Sequence, residues 1–221
     1  MKNFPKVLAR QDTFVSPIWI GDAPQYLKQI NKISDPYIKT SKKNFKKEID
    51  TRNKTFGDKK DHGFVFHSTS LIQEKKLIDF HTYVTLTSNN LLNEMGYDLK
   101  KHEMHLTESW VQEFAKAGGG HHTLHTHWNG HISGFYFLKA SERTSRPIFQ
   151  DPRPGALMAG LPLHNSKNIN YGTYEIHYKI KPGTIMFFPS YMPHMFSVDS
   201  GHEPFRFIHF NVQALPNIIK K

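Results

Sequence analysis

The sequence predicts a mainly β protein with N-terminal helices, its core a β-sandwich or jelly roll. Three observations point there. Aromatics make up 13% of the 221 residues, chiefly 17 Phe and 9 Tyr, side chains that suit a pleated core. The second half holds several short apolar runs punctuated by turn signals, with no helix pattern between them. The first hundred residues show the apolar spacing of helices instead. We expect one domain over residues 1–221, with 1–100 a mostly helical supporting region and 101–215 a jelly-roll core.

Taken in order, residues 14–20 read as a short strand. Tyr26, Leu27 and Ile30 sit at helical spacing before a break expected at Asp35-Pro36, where proline removes an amide donor. Ser68, Thr69 or Ser70 can cap a helix whose apolar positions include Leu71, Leu77, Ile78 and Val84. A further turn carries Leu91, Leu92 and Met95 and stops at Gly96. Strands follow at residues 105–114, ending in Gly118-Gly119-Gly120, and at 124–138, with Ile132, Phe135, Tyr136 and Phe137. Asp151-Pro152-Arg153-Pro154-Gly155 is turn chemistry, as is Lys181-Pro182-Gly183 between strands at 174–180 and 184–188. Residues 195–198 and 205–212 read as a hairpin across Asp199-Ser200-Gly201-His202. The Lys220-Lys221 ending reads as a frayed terminus.

Several function classes are excluded. Without cysteine there is no disulfide framework, cysteine zinc site or thiol nucleophile. Gly118 to Gly120 lacks the Lys and Ser/Thr of a phosphate loop, and no serine-hydrolase elbow occurs. No apolar run is long enough to span a bilayer, and the first residues do not resemble a signal peptide. A cytoplasmic protein with no membrane partner is the expectation. The formal charge is +10, and residues 39–60 hold nine Lys/Arg against three acids. That stretch is either a solvated helix face or a nucleic-acid patch; sparse aromatics favour the former.

The chemistry is concentrated in the histidines, of which there are 15. In His125-Thr126-His127 the two imidazoles stand two residues apart, which on a strand puts them on one face, close enough to share a metal ion. Surface or chance pairing is the alternative in so histidine-rich a chain. His194 follows a strongly apolar strand, directly after Pro193, where a histidine is either a satisfied core residue or one being aimed. In Phe205-Arg206-Phe207-Ile208-His209-Phe210, alternation puts Arg206 on the face of Ile208 and Phe210. A buried guanidinium needs an anion, either a carboxylate of this chain or a ligand.

Together these parts resemble the iron(II)- and 2-oxoglutarate-dependent dioxygenases, nearest the prolyl-hydroxylase-like branch. The motifs are His125-Thr-His127, Ser133-Gly-Phe-Tyr-Phe-Leu138, Gly183-Thr-Ile-Met-Phe-Phe-Pro-Ser-Tyr-Met-Pro-His194, then Arg206 and Asn211. The resemblance covers residues 105–214. It implies a cupin-like double-stranded β-helix with Fe(II) in its mouth, held by His125, His127 and His194. It implies 2-oxoglutarate as co-substrate, with Arg206 on its distal carboxylate and Ser133 as a substitute donor where relatives use tyrosines; this chain has Phe137 and Ala115 there. His122, Trp128 and Asn129 would line the substrate side. The implied reaction is oxidative decarboxylation of 2-oxoglutarate to succinate and CO2, coupled to hydroxylation of a peptide or small-molecule substrate such as an amino-acid side chain. The sequence departs from the usual two-His-one-carboxylate set, since His127 stands in the carboxylate's place. Asp151 is a possible source of that carboxylate, although its context is a turn. A nucleic-acid-modifying oxygenase and a non-enzymatic jelly-roll module are the alternatives.

Overall fold

The computed structural model describes residues 9–57, 60–158 and 160–217; the Lys220-Lys221 ending lies outside the described residues. In chain order the elements are β1 (Trp19–Asp22), α1 (Leu27–Asn44), α2 (Lys46–Phe56), β2 (Val65–His67), α3 (Ile78–Glu94), β3 (His102–Phe114), β4 (His122–His125), β5 (Ile132–Lys139), β6 (Pro147–Gln150), α4 (Pro154–Met158), β7 (Glu175–His177), β8 (Thr184–Pro189), β9 (His194–Phe196) and β10 (Arg206–Pro216). They form two antiparallel sheets. The larger has the order β1-β8-β5-β10-β3-β2, the smaller β4-β9-β6-β7.

The larger sheet is apolar on both faces because both are covered. On one face Val111, Ile132, Tyr136, Ile185, Ile208 and Phe210 pack against Ile30, Ile38, Phe80 and Val84 of the helices. On the other, Phe135, Phe137, Met186, Phe188 and Phe207 meet Phe149 and Phe196 of the smaller sheet. Strand alternation along β5, β8 and β10 sorts each residue to one layer or the other. Gly134 marks the closest approach on the helix face: a Cβ there would lie 2.3 Å from Phe210 Cζ and 2.4 Å from the Met186 carbonyl oxygen. Among the described residues no helix is long and apolar enough to cross a membrane.

Several local expectations change. Pro36 lies inside α1 instead of ending it. It is exposed, as is Lys32 four residues earlier, so the carbonyl left without a donor faces water. The buried Ile30, Ile33 and Ile38 keep the helix on the sheet. Leu91 and Leu92 belong to α3 itself, not to a separate turn. The expected strand at 124–138 is two strands, and residues between them carry His127. The expected hairpin does not form: β9 pairs with β4 and β6, while β10 pairs with β3 and β5. The turn chemistry at Asp199 is real, but it links two sheets. Its carboxylate accepts from the amides of Ser145 (2.7 Å) and Gly201 (2.8 Å), which anchors the crossing chain. The Gly118-Gly120 segment is packed, with the Gly119 amide on the Asp199 carbonyl at 2.8 Å.

Candidate metal centre

β4 and β9 are neighbours, and their register sets His125 opposite His194. The chain then leaves β4, and His127 brings a third ring alongside. Ring centroids lie 4.4 Å apart for His125–His194 and 5.1 Å for both other pairs. One ligand atom from each residue lies within 4.8 Å of the other two. The backbone selects the tautomers. His125 Nδ1 is 2.7 Å from the Thr123 carbonyl, and His194 Nδ1 is 2.9 Å from the Met192 carbonyl. A carbonyl only accepts, so each Nδ1 holds the proton and each Nε2 keeps its lone pair. The Nε2 atoms of His127 and His194 are buried and have no hydrogen-bond partner.

Phe135, Phe149 and Phe188 wall the His194 ring, with centroids 5.5, 5.8 and 4.8 Å away. Burial in this apolar shell pushes His194 down to about 2 and His127 down to about 3. Both are therefore neutral at pH 7, the form that binds metal. Converging neutral nitrogens without donors fit a divalent transition metal held on His125, His127 and His194.

Arg206 is not part of this centre. It does share a face with Ile208 and Phe210, but that face packs on the helices, away from the histidines. Its Nε donates to Glu113 Oε2 at 2.7 Å, and one terminal nitrogen donates to Ser34 Oγ (3.0 Å) and Asp35 Oδ1 (2.6 Å). The expected hold on a co-substrate carboxylate is thereby corrected: the guanidinium's anions belong to this chain. Among the described residues, the only basic strand residues other than His are Lys139 and Arg206, and both approach Glu113. The inward positions Phe205 and Phe207 join Phe114, Phe137 and Phe196 in aromatic packing. Thus the residues fit a metal, but among the described strand residues no guanidinium or ammonium faces the centre to hold a far carboxylate.

The remaining expected residues are distributed as follows. Ser133 is buried, and its hydroxyl contacts Ser190 Oγ (2.8 Å) and Asn211 Oδ1 (2.5 Å), so it is engaged inside the protein. His122 lies near the centre, 5.8 Å from His125 between ring centroids, but its Nε2 meets Gln112 Oε1 at 2.6 Å and its ring stacks on Phe114. It is therefore a packed ring beside His125 whose Nε2 is engaged within the protein. Trp128 is 94% exposed beside the centre. Asn129 Nδ2 donates to Glu108 Oε1 at 2.6 Å, which makes it a support for that carboxylate. Asp151 is paired with Arg153 in the turn after β6 and supplies no ligand. Residues 39–56 of the basic stretch lie on α1 and α2 or between them and are mostly exposed, while residues 58–59 lie outside the described residues; Lys42 bonds Glu113 on the helix side.

Two residues near the centre were not anticipated: Glu108 and His209. Both face inward, and with His127 they form a second group of ligand atoms within 4.8 Å of one another. The neighbouring His209 foremost, helped by Asn129, holds the Glu108 carboxyl down at about 2, so it is charged. The alternation that put Arg206 on one face of β10 already put His209 on the other.

Residues 108–211 match the profile of the family described as "Putative 2OG-Fe(II) oxygenase". No curated protein matches the chain. Among solved structures, an oxidoreductase of the 2OG-Fe(II) oxygenase family from Burkholderia pseudomallei is similar at 8% identity and a TM-score of 0.37, over 52% of this chain and 47% of that one. The α-ketoglutarate-dependent epimerase SnoN from nogalamycin biosynthesis shows 13% identity and a TM-score of 0.37, over 53% of this chain and 54% of that one. The carbocyclase SnoK of the same biosynthesis shows 10% identity and a TM-score of 0.45, over 81% and 80%. The chain thus spans about half the length of the first two. Residues 108–211, which contain all three histidines of the centre, are thus similar to a 2OG-Fe(II) oxygenase family, whose cofactors are Fe(II) and 2-oxoglutarate.

Proposed function

We propose that this chain is an Fe(II)- and 2-oxoglutarate-dependent oxygenase that hydroxylates a small-molecule or peptide substrate, its metal held by His125, His127 and His194. We read the two facing sheets as a double-stranded β-helix, and the motif order as nearest the prolyl-hydroxylase-like branch. The observation that carries the proposal is the convergence of three imidazoles, two of them locked by backbone carbonyls with Nε2 free. When bound, iron with its 2-oxo acid supplies the oxidising chemistry. The protein's part is to hold three neutral nitrogens in place and to exclude water with the phenylalanines around His194. Three neutral ligands leave the ion its full positive charge, which favours a dianionic co-substrate.

A second reading is favoured by the internal pairing of Arg206 with Glu113: a metal-binding module of the same fold that does not turn over 2-oxoglutarate. One assay separates the two. Purified protein is supplied with Fe(II), ascorbate and 2-oxoglutarate, succinate is measured, and 2-oxoglutarate binding to the metal-loaded protein is followed by calorimetry. Succinate that His194→Ala abolishes supports the oxygenase. Stoichiometric metal with neither succinate nor 2-oxoglutarate binding supports the module.

A further inference from the structure

His209 is fully buried, yet neither of its ring nitrogens has a hydrogen-bond partner. Its Nε2 lies 3.5 Å from Glu108 Oε2, an electrostatic contact without hydrogen-bond alignment. The ring is held between Trp110, 4.6 Å away, and His127, 4.5 Å away. A buried imidazole so placed, with neither nitrogen in a formed hydrogen bond, calls for an explanation.

Glu108 is built to point at it. Across β3 and β10 it pairs in register with Asn211, whose Nδ2 donates to Glu108 Oε2 at 2.9 Å. Asn129 Nδ2 donates to Oε1 at 2.6 Å. Asn211 is itself held, by Ser133 and by the Asn129 side-chain oxygen at 3.1 Å. Two amide donors thus orient one carboxylate, as supporting residues orient a metal ligand. The ligand atoms of Glu108, His127 and His209 all lie within 4.8 Å of one another.

We infer that this chain has a second divalent transition-metal site, formed by Glu108 and His209 with His127 common to both centres, its ring bridging the two ions as an imidazolate once its N–H proton is released to solvent. One carboxylate oxygen and imidazole nitrogen suit zinc, iron or cobalt rather than magnesium or calcium. The fixed carboxylate supplies the negative charge that the three-histidine site lacks. The inference does not depend on 2-oxoglutarate or oxygen.

The test is a metal count. The purified chain is stripped, titrated with Zn(II) alone by calorimetry, and the retained zinc is measured by mass spectrometry. The wild type is expected to take two equivalents. Glu108→Gln keeps the side-chain size but removes the negative charge, and His209→Gln removes the imidazole; each is expected to take one, with folding checked by circular dichroism. His125→Ala, which disrupts the first site only, is also expected to take one. One equivalent in the wild type overturns the inference, and if that equivalent is lost in His125→Ala the three-histidine site survives without it. A second equivalent that persists in both Glu108→Gln and His209→Gln also overturns it. Should His209→Gln fail to fold, the wild-type count and Glu108→Gln still decide.

Discussion

Arg206 and Glu113 sit directly opposite one another on β10 and β3, 2.6 Å apart, with both side chains about 5% exposed. The pair joins the larger sheet to α1 through Ser34 and Asp35. Its orientation turns the arginine away from the three histidines and makes it part of the fold's internal electrostatics. Removing one member of a buried ion pair leaves the other charge uncompensated, at about 3–5 kcal/mol. Arg206→Gln is therefore expected to lower unfolding free energy by about that amount, measured by urea titration. Zinc binding at the three-histidine centre should be unchanged; a lost centre in a still-folded variant would contradict the placement.

His194→Ala should remove metal binding at the first centre. Changes to outer supporting residues cost about 10–100-fold in metal affinity, and loss of a direct ligand should exceed that. Isothermal titration with Zn(II) reads the change, and the thermal stabilisation given by zinc should shrink with it.

Acid should destabilise the metal-free protein through the same histidine. His194 sits at about 2 when folded, against about 6.5 in the unfolded chain. Between those values the unfolded state takes up a proton that the native state refuses, so stability falls as pH falls. The slope is about 1.4 kcal/mol per pH unit for this one group, starting near pH 6.5. Above that pH it contributes no slope. Denaturant titrations at several pH values should show the decline, less steep in His194→Gln.

Gly134→Ala should be strongly destabilising. The added Cβ would fall 2.4 Å from a backbone carbonyl, that of Met186, which cannot swing aside as a side chain can. Overpacking of this kind costs about 1–3 kcal/mol or more. A lowered melting temperature, or loss of soluble protein, is the expected result; wild-type stability would mean that β5 and β8 separate at little cost.

Much of this was legible in the chain. The His125-Thr126-His127 motif was visible, although His127 lies past the end of β4 and strand alternation is not what brings it beside His125; the apolar strand before His194 marked a residue held at the edge of a core. Alternation placed Arg206 with Ile208 and Phe210. It was silent on where that face lay, and the resemblance to dioxygenases drew the arginine toward the metal. The Asp199 turn was recognised, but turn chemistry does not say whether the strands it joins pair with each other. Glu108 and His209 stand 101 positions apart in the numbering and form no sequence motif; only adjacent strands make them neighbours.

The sequence by itself determined the two faces of each strand, the residues able to bind metal and the helix-to-strand division along the chain. The tertiary structure alone decided which face of β10 looks inward, which strands are neighbours and which anions meet Arg206. The reason is physical: a period of two residues separates the sides of a strand, but only burial against one layer or the other gives those sides different surroundings.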